Sequence, residues 1–382
     1  MEFLDYSVLK FIWWLLLGVL LIGFAIMDGQ DMGAGSLLPF VGRNDNERRV
    51  IINSVAPHWD GNQVWFLTGG GAIFAAWPYA YATAFSGFYW AMMAVLWAMF
   101  FRPVGFDYRS KINNARWRTT WDWLLFVGSF VPPLIFGVAF GNLLLGVPFH
   151  FDDDLRSFYT GSFWALLNPF SLLCGVVSAA MITFHGAIYL ALRTDEQVRQ
   201  RALRASTIAL IVVVIAFSLA GIWVNMGING YSMVEGSYLS GASPDPLNKQ
   251  VVSATGAWMN NYQQYPLLLV IPVLAYVGFI VAWLLAKGGK NFVAFWFSAL
   301  GLGGVISTAG VSMFPFIMPS STDLRSSLTV WDASSSEFTL KVMLVVVLIF
   351  VPLMLCYTSW CYRVMRGKVT TDMIRKNDHS LY

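Results

Sequence analysis

Long apolar runs broken by short polar segments dominate the sequence. A spanning helix needs roughly 20 mostly apolar residues. Nine runs meet that need, at about 8–27, 62–81, 84–104, 121–146, 165–192, 205–227, 266–286, 292–314 and 338–362. Backbone groups cannot go unpaired in lipid, so these runs must be helices. The alternating short strands of a membrane barrel are absent from the pattern. The pattern therefore predicts an all-α polytopic membrane protein, one integral membrane domain over residues 1–382, with no separate soluble domain. Eight of the nine helices can form two four-helix bundles, with the ninth peripheral. The second and third runs lie closest together, and Pro78 with residues 81–84 predicts a tight turn between them. The longest inner loop is about 28–61, and within it Asn46 to Val55 is amphipathic, which predicts a stretch lying on the membrane surface. The longest outer loop is about 228–265.

Composition narrows the class. Only 12% of the 382 residues are charged and 57% are apolar. A soluble domain carries about 25% charged residues. That deficit excludes a soluble enzyme, a disordered chain and a nucleic-acid binder. The placement of charge says more than its amount. With nine spans, the side that holds the N-terminus receives Lys10, Arg156, Lys249, Arg325 and Lys341. The other nineteen of the 24 basic residues fall on the opposite side. Basic residues favour the cytoplasmic side, so the N-terminus is expected outside and the C-terminus in the cytoplasm. The first residues carry Glu2 and Asp5 rather than a basic n-region, so the first span is not expected to be a cleaved signal. Cys174, Cys356 and Cys361 form no CxxC pair, and no disulfide framework or metal site is implied.

Ionisable residues inside a membrane are costly and therefore candidates for function. None falls near the middle of a predicted span, which argues against an ion-coupled transporter. A secondary transporter is nonetheless the alternative reading from another class, and a purely structural scaffold is a third. The polar residues gather at the predicted cytoplasmic ends. Asp28, Asp31 and three glycines follow the first run. The plain reading is a solvated, glycine-capped helix end, although acids at a helix C-terminus oppose its dipole. The second run opens with Pro57-His58-Trp59-Asp60-Gly61-Asn62-Gln63. Asp60 sits where an N-cap is expected, or it is a carboxylate at the mouth of a proton path, with His58 and Trp59 beside it. The third run ends Phe101-Arg102-Pro103-Val104-Gly105-Phe106-Asp107-Tyr108-Arg109. Arg102 can snorkel to lipid headgroups or pair with Asp28, Asp31 or Asp60. Of four histidines only His185 lies within a span, and a lone histidine there is more often a helix contact than a haem ligand. Gly69-Gly70-Gly71 lacks the Lys-Ser/Thr of a phosphate loop, and Gly137 to Gly141 reads as a packing face.

Five strings carry a resemblance. Gly42 to Arg49, Pro57 to Trp65, Phe101 to Arg109, Met313 to Ser321 and the terminal His379-Ser380-Leu381-Tyr382 resemble subunit II of the bacterial cytochrome bd-type quinol oxidase, and the likeness runs the full length. The resemblance implies a bacterial inner-membrane heterodimer of two nine-helix subunits. It implies a haem-bearing subunit I with haem b and haem d, a small single-span accessory subunit, and quinol as substrate. The complex would oxidise quinol and reduce oxygen to water, taking protons from the cytoplasm and releasing them outside. In that family the acid of the His-Trp-Asp motif belongs to a proton-uptake path. The intact motif carries that role to Asp60, with His58, Trp59, Arg102 and Asp107 in support. Ubiquinone is a further cofactor the resemblance brings, with no residues assigned to it. His185 belongs to none of these strings.

Overall fold

The computed structural model describes residues 5–234 and 244–376. Glu2, the string His379 to Tyr382 and part of the long outer loop lie outside the described residues. Thirteen α-helices form the body: α1 Tyr6–Val41, α2 Asp45–Val55, α3 Trp59–Ala76, α4 Pro78–Gly87, α5 Tyr89–Tyr108, α6 Ala115–Leu145, α7 Pro169–Arg193, α8 Glu196–Met226, α9 Asn260–Gln264, α10 Val270–Lys287, α11 Asn291–Met313, α12 Glu337–Val364 and α13 Thr371–Lys376. Eight of the described helices are long and apolar enough to cross a membrane. The helix over the second predicted run, α3, is not among them.

Three expectations change. First, α1 does not stop at Met27 but continues to Val41. Its glycines are not terminators. A Cβ on Gly33 would meet the Ile182 carbonyl at 2.2 Å and Gly186 Cα at 2.7 Å. A Cβ on Gly35 would meet Ser129 Oγ at 2.1 Å. The glycines let α1 cross α7 and α6 backbone to backbone, so Asp28 and Asp31 sit inside a helix and not at its solvated end. Second, the turn expected at 81–84 is instead two breaks flanking α4. Residues before proline avoid the helical region, and Trp77 before Pro78 takes φ −136° and ψ 71°. The second break falls at Phe88. Third, α2 is not an exposed amphipathic stretch but is packed into the protein. Its residues from Glu47 through Val55 are buried except Arg48, and Arg201 on α8 binds its Glu47 at 2.6 Å.

Small sheets complete the fold, which the apolar pattern did not predict. Three antiparallel ribbons pair β1 Phe149–Phe151 with β2 Ser157–Tyr159, β3 Asn229–Met233 with β4 Val251–Thr255, and β5 Phe316–Met318 with β6 Leu328–Thr329. Their buried residues Phe149, Phe151, Met318 and Leu328 join a cluster with Leu9, Trp13, Trp77 and Leu340. They thus cap the end where α1 begins. The opposite end of α1 carries the polar cluster. Helix α7 packs on α1, α6 and α8, and α10 packs on α11. Helix α12 is the outlier, with only 6% of its apolar window buried.

Candidate functional site

With 1.5 Å per residue, Asp28 lies roughly 33 Å along α1 from Tyr6, about one hydrocarbon thickness. At this depth five helices, α1, α3, α5, α7 and α12, bring polar groups together. Asp28 and Asp31 are three residues apart and share a face of α1. Arg102 comes from α5, whose interior Pro103 does not end the helix. Both Asp28 and Arg102 are fully buried, and the guanidinium grips the carboxylate with two hydrogen bonds, Nη1 to Oδ2 at 2.9 Å and Nη2 to Oδ1. Burial of either charge alone would be heavily penalised, and the fork geometry compensates it. Arg102 therefore does not snorkel. Trp59 lies over it, 5.9 Å from the guanidinium carbon, and also packs on Phe106 at 5.6 Å.

Asp31 begins a second chain of contacts. Asn62 on α3 donates from Nδ2 to Asp31 Oδ2 at 2.7 Å and to Tyr362 Oη at 2.8 Å. The same nitrogen sits 3.0 Å from His58 Nδ1. Gln30 also donates to Tyr362 Oη. The other ring nitrogen of His58, Nε2, lies 2.9 Å from Tyr189 Oη and 3.1 Å from the Ser54 carbonyl. Tyr189 donates to that carbonyl at 2.7 Å. Burial, and then the nearby Arg193 guanidinium, pushes His58 down to about 4 against the pull of the Ser54 carbonyl. His58 is therefore neutral near pH 7, and its 3.6 Å approach to Asp31 is not an ion pair. Asp31 Oδ1 is buried with no hydrogen-bond partner. The result is a buried relay of hydrogen bonds, Tyr189 to His58 to Asn62, with Asn62 joining Tyr362 and Asp31, running alongside a locked ion pair.

The sequence-predicted residues separate into two sets. His58, Trp59 and Arg102 meet in this cluster. Asp60 and Asp107 are exposed, and neither makes an ion pair among the described residues. Asp60 is not the N-cap of α3; His58 holds that position, and Asp60 falls in the first turn. An acid there still complements the helix dipole. Arg109 is held not by Asp107 but by Asp122 and Asp45, at 2.6 and 3.0 Å. Sequence reasoning reads Asn62 only as part of a polar helix entry and misses Tyr189 and Tyr362 as members. Asn62 had a signal, four residues after His58 on one helical face. Tyr362 lies 300 residues from Asn62, and nothing local announces it.

The described histidines of the helical body are engaged by protein groups. His185 is fully buried, and its nitrogens engage Ser298 Oγ at 2.7 Å and the Ile26 carbonyl at 3.0 Å. His58 has both nitrogens occupied as described. His150 lies on β1, stacked on Phe158. No described histidine within the helical body is free to serve as an axial ligand.

Comparison with known proteins bears on the same residues. The profile of a family described as cytochrome bd terminal oxidase subunit II matches residues 9–365. The chain is 57% identical over 379 residues to cytochrome bd-I ubiquinol oxidase subunit 2 of Escherichia coli, covering 99% of this chain and 100% of that one. It is 32% identical to cytochrome bd ubiquinol oxidase subunit 2 of Bacillus subtilis, covering 94% and 96%. Among solved structures, that of bd oxidase from Geobacillus thermodenitrificans shares the fold with a TM-score of 0.67 at 14% identity, covering 93% of this chain and 98% of the matched chain.

Proposed function

The chain belongs to the cytochrome bd terminal oxidase subunit II family, and from that premise we propose how its residues serve a quinol oxidase. It is the second subunit of an oxidoreductase complex of the respiratory chain, beside a subunit 1. The secondary-transporter reading falls with that membership. The complex oxidises ubiquinol and reduces oxygen to water. Its haem b and haem d sit in subunit 1, in keeping with the engaged ring nitrogens of His58 and His185 here. A small single-span subunit and membrane lipid complete the assembly. The basic end faces the cytoplasm, which leaves the N-terminus outside and the C-terminus inside, in a bacterial inner membrane.

Helix α3 is the ninth span of a single membrane domain. One bundle is α1, α3, α5 and α6, the other α7, α8, α10 and α11, and α12 is peripheral. The packing of α5 on α6, of α1 on α3 and α6, and of α7 on α8 and α11 supports this grouping.

This subunit contributes a proton-uptake rim. Asp60 is the entry carboxylate. Its exposed position on the first turn of α3, between His58 and Asn62 of the buried relay, is the observation that carries the proposal. Trp59 and the Arg102–Asp28 pair hold that relay in place, and Asp107 adds negative potential at the same end. Subunit 1 would cover the exposed face of α3, where a Cβ on Gly70 or Gly71 would meet nothing within 4 Å and Val64, Leu67 and Phe74 are exposed beside them; small residues there let a partner helix approach closely. The test is Asp60→Asn in the purified complex. Normal haem content with strongly reduced oxygen uptake is expected. Unchanged turnover removes Asp60 from the path, and loss of haem makes it a structural residue.

A further inference from the structure

A second polar site lies at the same end of the molecule, outside the relay. It is a cavity of about 200 Å³ lined by Arg43, Asn44, Asp45, Arg48, Arg109, Asn113, Ala115, Arg118 and Thr119. Four arginines there face two carboxylates. Arg48 Nη1 binds Asp122 Oδ2 at 2.7 Å. Arg109 holds Asp122 through Nε at 2.6 Å and Nη2 at 3.1 Å, and reaches Asp45 at 3.0 Å. Arg118 binds the other Asp45 oxygen at 2.8 Å. Both acids are thereby shared, and the cluster keeps an excess of two positive charges. Arg109 is 1% exposed, yet its Nη1 has no hydrogen-bond partner, nor does Arg118 Nε. A buried guanidinium N–H without an acceptor is costly, and it marks a place for a ligand that brings oxygen acceptors.

Two helices begin at this cavity. Asn44 caps α2 and Asn114 caps α6, each through its side-chain oxygen. Their dipoles add positive potential where the arginines already supply it. Guanidinium forks and helix N-termini together match a phosphate. The depth selects the source of that phosphate. Tyr108 and Trp123, next in line along α5 and α6, are 55% and 48% exposed. Trp117 donates to the Tyr108 carbonyl at 3.2 Å, and Trp123 packs on the exposed Phe40. Tryptophan and tyrosine collect at headgroup level.

We propose that this arginine cavity binds the phosphate of an anionic phospholipid, fixing the end of α1, α2 and the α5–α6 connection against the membrane surface. Basic pockets between spans on the side rich in lysine and arginine take such headgroups. Arg43 and Arg118 are the groups to alter, because the Arg48–Asp122–Arg109 core remains when they are replaced. The intact oxidase complex, wild type and Arg43→Gln/Arg118→Gln, is placed in vesicles of phosphatidylcholine with and without phosphatidylglycerol. Lipid retained through purification is weighed by native mass spectrometry, and hydrogen exchange is followed at residues 43–48 and 113–119. Wild type should retain phosphatidylglycerol over phosphatidylcholine and show slowed exchange with it. The double variant should lose that preference by on the order of tenfold or more while keeping its turnover. Equal retention of the two lipids, or equal retention by both proteins, overturns the proposal. Inorganic phosphate alone slowing the same exchange as strongly as phosphatidylglycerol would make the cavity a free-anion site and overturn the lipid assignment.

Discussion

The Asp28–Arg102 pair and His58 show how single residues set the behaviour of the rim. Removing one partner of a buried ion pair strands the other charge, at about 3–5 kcal/mol. Arg102→Leu should therefore lower the melting temperature of the complex strongly. Asp28→Leu/Arg102→Leu, which removes both charges, should recover much of that loss. A double variant no more stable than Arg102→Leu alone would mean that the pair is not held as described. His58 gives a pH signature. Its folded pKa, about 4, lies below the ordinary histidine value of about 6.5. Between those two values the unfolded chain binds more protons than the folded one. Stability should then fall as pH drops from about 6.5 to about 4, by up to roughly 3 kcal/mol. His58→Gln should flatten that slope in a thermal melt series; an identical slope in the variant would assign it to other groups. The motif around His58 was legible because its residues are consecutive. Their partners were not, since Tyr189 and Tyr362 reach the site only through helix packing.

At the level of elements, α1 teaches the most. Read along the chain, Asp28-Gly29-Gln30-Asp31 with Gly33 and Gly35 looks like a helix leaving the membrane. In the fold those glycines are where α7 and α6 touch the α1 backbone. Glycine content reports either a helix end or a close crossing, and sequence spacing does not distinguish them. The apolar runs at 121–146, 165–192, 266–286, 292–314 and 338–362, by contrast, overlap α6, α7, α10, α11 and α12, because burial in lipid leaves a continuous signal. The short α4 was hidden because two breaks ten residues apart blur into one turn. Substitution separates the two meanings of glycine. Gly33→Ala should force α1 and α7 apart and reduce the yield of assembled complex severalfold in size-exclusion chromatography. Gly18→Ala on the same helix meets nothing within 4 Å and should assemble as wild type. Equal yields from both variants would remove the crossing as the reason for Gly33.

For the molecule as a whole, scarce charge and abundant exposed apolar surface have one origin: this chain is one part of a larger membrane assembly. Lipid can cover most of that surface, and the apolar outer face of α8, with Ile208, Ile211, Ile215 and Leu219 exposed, asks for nothing more. The face of α3 is different. It presents Asp60, Thr68 and Gly71 to the outside among the exposed apolar Val64, Leu67 and Phe74, and Thr68 satisfies its hydroxyl only by bonding back to the Val64 carbonyl at 2.8 Å. Small residues there let a neighbouring helix approach closely, whereas lipid gains nothing from them. The proposed contact with subunit 1 rests on that difference. Gly71→Leu should weaken co-purification of subunit 1 and lower the haem recovered per complex. Ile211→Phe on α8 should leave both at the wild-type level. If the α8 variant lost haem and the α3 variant kept it, the contact with subunit 1 would have to be moved to the opposite side of the bundle, and Asp60 would open onto lipid headgroups and water instead of a protein interface.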